Sequence, residues 1–162
     1  MSKPKRTAHY VVSTHWDREW YQPFQEYRIR LVQLVDRLLA LLAADPDYRF
    51  FMLDGQVIVL EDYLDVRPER EDELRQHVQS GRLLIGPWYI LPDEFLVSPE
   101  ATIRNLLEGD RVTRSFGPKM SLGYVPDTFG HIGQLPQILR GFGMDTAVIW
   151  RGVGDAPNEF RW

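Results

Sequence analysis

The sequence contains no cysteine. Disulfides, thiolate nucleophiles and thiolate-ligated metals are excluded, and any metal site must be built from His, Asp and Glu. A long hydrophobic run is also missing. The greasiest stretch, Leu31 to Ala44, is broken by Gln33, Asp36 and Arg37, so no transmembrane span is expected. The basic start, Met1 to Arg6, is followed only by Tyr10-Val11-Val12 before His15, which is too short for the apolar part of a secretory signal. These absences point to a soluble, cytoplasmic protein. Positive charge is not in excess: 19 Lys and Arg against 23 Asp and Glu leave a net charge of −4, a poor basis for binding nucleic acid. No repeat, low-complexity segment or flexible linker interrupts the 162 residues, a length that suits one domain. Residues 1–162 therefore read as a single region.

What is present is ordinary for a globular protein, with 44% hydrophobic and 26% charged residues, and this excludes a wholly disordered chain. Aromatics reach 12%, with five Trp. Such richness serves either a large core or a site that stacks flat apolar faces such as sugar rings.

Along the chain, short apolar runs alternate with helical periods. Strands are expected at His9 to Thr14, the first of them buried, and at Arg49 to Leu53, Arg82 to Ile85, Met120 to Val125 and Thr146 to Trp150. Between them, Leu31, Val35, Leu38 and Leu42, with Val32 and Leu39 alongside, mark a helix with a broad apolar face. It stops before the turn signal Asp45-Pro46-Asp47. Further helices are expected over Gln56 to Val66, from Pro68 to Gly81, from Ser98-Pro99-Glu100 to Gly117, and over Gln134 to Arg140. This alternation predicts an α/β fold with about five mostly parallel strands. The chain stops after a strand and a loop, so it is expected to be truncated or the first portion of a larger barrel.

In parallel α/β sheets, ligands bind beyond the carboxyl ends of the strands. The polar residues just after the five strands are His15 and Asp17, then Asp54, then Trp88, Asp93 and Glu94, then Asp127 and His131, and finally Arg151. All are expected on one edge of one sheet. His15 and Asp17 are two apart, and in extended backbone such residues point the same way. They can share a metal ion, or belong to a solvated loop or a structural hydrogen bond. Asp127 can add a third ligand or form an Asx-turn in Pro-Asp-Thr-Phe-Gly. Trp20 is either a stacking platform or a core residue. His131 is a helix cap or a donor behind the site. Arg151 is a clamp for a carboxylate or sugar hydroxyl, or a surface charge.

The stretches His15-Trp16-Asp17-Arg18-Glu19-Trp20-Tyr21, Leu53-Asp54-Gly55-Gln56, Ile85-Gly86-Pro87-Trp88-Tyr89, Gly123 to Gly130 and Gly133-Gln134-Leu135-Pro136 together resemble glycoside hydrolase family 38, the zinc-dependent retaining α-mannosidases. The form His-Trp-Asp-Arg-Glu-Trp is similar to the bacterial branch, which includes mannosylglycerate hydrolases. The resemblance implies the N-terminal portion of a seven-stranded (β/α) barrel. It implies His15, Asp17 and Asp127 as zinc ligands, with Asp127 also the catalytic nucleophile. Trp20 would stack under the mannose ring, and Arg151 would contact the catalytic carboxylate. An α-mannoside or a mannosylglycerate-type compound is the implied substrate. The family's fourth zinc ligand and its acid/base Asp lie further downstream than this sequence reaches. The isolated chain is therefore expected to be inactive, with its fifth strand an open edge prone to self-association. Two other readings are a metal-dependent carbohydrate deacetylase, in which a metal-activated water attacks an acetyl group, and a non-catalytic structural fragment.

Overall fold

The computed structural model describes residues 6–162; most of the basic start, residues 1–5, lies outside it. Five strands alternate with five α-helices: β1 (Ser13–Thr14), α1 (Phe24–Ala44), β2 (Phe51–Leu53), α2 (Ile58–Leu64), α3 (Glu71–Gln79), β3 (Leu83–Leu84), α4 (Pro99–Phe116), β4 (Gly123–Val125), α5 (Leu135–Gly141) and β5 (Ala147–Ile149). A 3₁₀ turn, Pro68–Arg70, precedes α3. Every strand pair is parallel, as the alternating pattern predicts.

Local chemistry sets the helix ends. Asp45 closes α1: its N–H donates to the Leu41 carbonyl (2.9 Å), and its Oδ1 accepts from the N–H of Asp47 (2.9 Å) and of Tyr48 (3.3 Å). Ser98 caps α4, its hydroxyl oxygen accepting from Ala101 N–H at 3.1 Å, with Pro99 as first helical residue. The apolar face of α1 is buried as its spacing requires, through Leu31, Val35, Leu38, Leu39 and Leu42. That face packs with residues of β2, α2, α3 and α4 in the larger of two core clusters. A smaller cluster centres on Trp88, Leu106, Val125, Leu135, Leu139 and Met144.

Two expectations need correction. The first strand is short, and Tyr10 (84% exposed) and Val11 (54%) lie in solvent rather than in a core. Its ladder reaches back only to Val12, whose carbonyl accepts from Met52 N–H at 3.0 Å. The expected single sheet is also two ladders, β1-β2-β3 and β4-β5. The reason lies after β3, where Gly86 takes φ +69° and Pro87 has no N–H to donate. The ladders are joined instead by Met120 N–H donating to the Ile85 carbonyl (3.0 Å) and by the Trp88 indole N–H donating to the Tyr124 carbonyl (2.9 Å). Trp88 is fully buried, so this single indole both fills the smaller core and ties it to β4.

Two registers position the site. Thr14 is level with Leu53, so the next pair along the parallel strands is His15 and Asp54. Val125 is level with Ile149, so two residues further on Asp127 and Arg151 stand side by side.

Leu39, in the centre of the buried α1 face, is fully buried, whereas Ile29 on the same helix is 61% exposed. Leu39→Ala should cost about 2–5 kcal/mol of unfolding free energy. Ile29→Ala should stay within about 0.5 kcal/mol. Urea denaturation of both variants measures the difference.

Candidate metal and active site

The ends of β1, β2 and β4 and the loop after β3 enclose a cleft of about 360 Å³, walled by the stretches 15–19, 90–93 and 125–129 together with Gln56. That is at the small end of the roughly 300–1,000 Å³ common for small-molecule sites. At its floor, one ligand atom each from His15, Asp17 and Asp127 lie within 4.8 Å of one another. His15 Nε2 is 3.4 Å from Asp127 Oδ2 and 3.8 Å from Asp17 Oδ1. The three side chains are a little under half exposed, open enough to admit a ligand.

The imidazole is held from behind. His15 Nδ1–H donates to Asp54, with Oδ2 at 3.1 Å and Oδ1 at 3.2 Å. In the neutral ring this leaves the Nε2 lone pair on the side of the two carboxylates, the tautomer a metal ligand needs. Asp54 itself is fully buried. It also accepts from Trp16 N–H (2.6 Å) and from the Gln56 amide (3.1 Å), and that amide donates in turn to the Trp16 carbonyl (2.8 Å). The aspartate sits at φ +43° in a tight turn with Gly55 at φ +66°. A Cβ on Gly55 would lie 2.6 Å from the Tyr124 ring, so the turn tolerates no side chain there. The backbone strain at Asp54 is the cost of aiming its carboxylate at His15.

Charge follows geometry. Burial alone would lower the pKa of His15, but the Asp54 carboxylate, with smaller help from Asp17 and Asp127, outweighs burial and raises it above 6.5. For Asp54, burial dominates and raises the pKa, against the Trp16, His15 and Gln56 contacts that favour the ionised form.

Arg151 meets Asp127 twice. Its Nη2 donates to Oδ1 and its Nε to the backbone carbonyl at 3.0 Å. The guanidinium lies over the Phe129 ring, 4.0 Å from its centroid. Oδ1 is thus held by Arg151 while Oδ2 faces His15. Trp20 is not gathered into this group. It is 70% exposed, so it is not the core residue that one sequence reading allowed. Neither is His131 a helix cap: Nε2 lies 2.8 Å from the Arg151 carbonyl and Nδ1 2.7 Å from Glu94.

Sequence reasoning gave no role to Asp54, Gln56 or Glu94, although it placed Asp54 and Glu94 at strand ends. The signal for Asp54 was available in the parallel β1-β2 pairing, which sets the residue after each strand side by side. It also passed over Arg18, which lines the cleft and is fixed by two bonds to the buried Asp62, at 2.7 and 2.8 Å.

Parallel strands that deliver one imidazole and two carboxylates to a cleft beyond their carboxyl ends give this α/β domain a donor set suited to one divalent cation. The chain belongs to glycosyl hydrolase family 38: residues 5–161 match the N-terminal domain of that family. It is 57% identical, over 97% of its length, to a protein of Halalkalibacterium halodurans named "Putative mannosylglycerate hydrolase", of which it covers 17%. It is 28% identical, over 94% of its length, to an alpha-mannosidase of Saccharomyces cerevisiae, of which it covers 15%. The crystal structure of an alpha-mannosidase from Enterococcus faecalis superposes with a TM-score of 0.85 at 47% identity, over 86% of this chain and 16% of that one. The chain thus spans about a sixth of the length of these relatives. Its α/β fold is that of the N-terminal part of a family 38 catalytic domain. Among the described residues no helix is long and apolar enough to cross a membrane.

Because the Asp54 carboxylate is what lifts the pKa of His15, Asp54→Asn should move it down. An NMR pH titration of the His15 imidazole in both proteins reads the shift. An unchanged value would mean that Asp17 and Asp127 set the charge instead.

Proposed function

We propose that the protein is a zinc-dependent retaining α-mannosidase and that this chain contributes its nucleophile and three of its metal ligands. The observation that supports this most is the convergence of His15, Asp17 and Asp127 within 4.8 Å in a chain that belongs to family 38. The 57% identity to the Halalkalibacterium halodurans protein favours a mannosylglycerate-type substrate over other α-mannosides.

The donor set suits the ion. One nitrogen and two carboxylate oxygens are common zinc ligands, and His15 has the buried carboxylate behind it that fixes its ligating nitrogen. Bound zinc would act as a Lewis acid, polarising the sugar hydroxyls it holds and steadying charge that develops next to the anomeric carbon. Asp127 forms a bond from a carboxylate oxygen to the anomeric carbon as the bond to the leaving oxygen breaks. That oxygen takes a proton from a carboxylic acid, and the same group then removes a proton from the water that releases the sugar and regenerates Asp127. We assign neither this acid/base nor a fourth metal ligand to residues of this chain. Arg151 fixes one oxygen of Asp127, so the carboxylate meets the sugar in one orientation. The exposed face of Trp20 offers a platform for the C–H surface of the ring.

Two measurements test this. A fluorinated mannosyl inhibitor should label Asp127 in the full-length protein, and Asp127→Ala should abolish the label. Peptide mass spectrometry finding the label on another carboxylate would overturn the nucleophile assignment. Zinc titration by calorimetry on the chain should show binding that His15→Ala weakens by roughly 100-fold or more, beyond the roughly 10–100-fold typical of losing a residue behind a ligand. Zinc and a proton compete for Nε2. Since the His15 pKa lies above 6.5, zinc affinity should fall as the pH drops through that raised value. Equal affinity at pH 5.5 and 7.5 would exclude His15 as a ligand.

A further inference from the structure

Behind Arg151 lies a second buried pair that the proposed chemistry does not use. Glu94, in the loop after β3, is 2% exposed, and the His131 side chain is equally buried. The His131 ring nitrogens have different partners. Nδ1 is 2.7 Å from Glu94 Oε1, with the Thr128 hydroxyl a more distant neighbour at 3.4 Å, while Nε2 is 2.8 Å from the backbone carbonyl of Arg151. A carbonyl only accepts, so Nε2 carries a hydrogen. The second Glu94 oxygen accepts from Ile132 N–H at 2.8 Å. Both ends of this buried acid are therefore spent on the loop that follows β4.

The consequence is a relay between three loops. Glu94 fixes His131, His131 fixes the backbone of Arg151, and the Arg151 guanidinium holds Asp127 by its side chain and by its carbonyl. The backbones of the two outer loops touch at Gly152, where an added Cβ would lie 2.9 Å from Gly130 N and 3.0 Å from the Thr128 carbonyl. Register alone brings Arg151 level with Asp127, but it does not choose the rotation of the strand end. An Arg side chain has freedom to leave an exposed carboxylate, and the hydrogen bond from His131 fixes the backbone from which that side chain starts.

We propose that Glu94 and His131 are positioning residues, which set Arg151 and through it the orientation of the Asp127 carboxylate. The value of that orientation for catalysis rests on the nucleophile reading above, but the positioning itself is measurable without any sugar or metal.

The probe is the Arg151 Nε–H, which donates to the Asp127 carbonyl, followed by solvent exchange in proton–nitrogen NMR spectra of the chain and assigned by its loss in Arg151→Lys. The Arg18 Nε–H, bonded to the buried Asp62 at 2.7 Å, is the internal reference. His131→Phe keeps the ring but removes both nitrogens, and it should speed exchange at Arg151 by about tenfold or more while Arg18 stays unchanged. Glu94→Gln should stay within about threefold, because the amide can accept from Ile132 N–H and donate to Nδ1, leaving Nε2–H on the Arg151 carbonyl. Unchanged exchange at Arg151 in His131→Phe would overturn the proposal. So would equal acceleration at Arg18, which would show that the pair holds the fold and not the guanidinium. A slow-exchanging Arg151 in a protein that fails the mannosyl labelling test would leave the positioning intact and remove only the nucleophile role.

Discussion

A buried carboxylate organises this site. Asp54 is fully buried yet its oxygens serve an imidazole, a backbone N–H and a side-chain amide. Buried polar groups are tolerated when their hydrogen bonds are satisfied, and here each partner belongs to the site. The same group orients the His15 ring, sets the path of the chain at Trp16 and, against the effect of burial, raises the pKa of the imidazole. Without that contact His15 Nε2 has no fixed direction. The left-handed turn at Asp54-Gly55 and the close approach of Tyr124 to Gly55 are the backbone conditions for that one contact.

The rest of the cleft repeats this logic with different groups. Parallel register delivers residues in level pairs, His15 with Asp54 and Asp127 with Arg151. In each pair one member faces the cleft and the other restrains it. Arg18 with Asp62 is a third case. The half-exposed Arg151–Asp127 pair contributes little stability, so it is better understood as fixing a direction than as holding the fold. The fold itself rests on the two apolar clusters around α1 and Trp88.

Much of this was legible in the sequence because periodicity and strand-end chemistry are local. The α1 face, the Ser98-Pro99 helix start and the strand at 51–53 follow from spacing and capping alone. So did the list of residues beyond the strand ends, from which His15, Asp17 and Asp127 come together. What stayed hidden depends on pairing between distant segments. The role of Asp54 needs the β1-β2 register, and that of Glu94 needs a loop after β3 to fold beneath the loop after β4. The division into two ladders turns on backbone angles at Gly86 and on a missing donor at Pro87, which apolar runs on either side do not report. Exposure of Tyr10 and Val11 shows the same limit: a Val-rich run reads as buried whether or not anything covers it.

Everything proposed for the cleft depends on His15, Asp17 and Asp127 holding one divalent cation together. Anomalous diffraction at the zinc absorption edge, from crystals grown with zinc, tests it most directly. A single strong peak is expected between His15 Nε2, Asp17 and Asp127, at about 2.0–2.2 Å from each ligand atom. A peak elsewhere, or none in the cleft at saturating zinc, would contradict it.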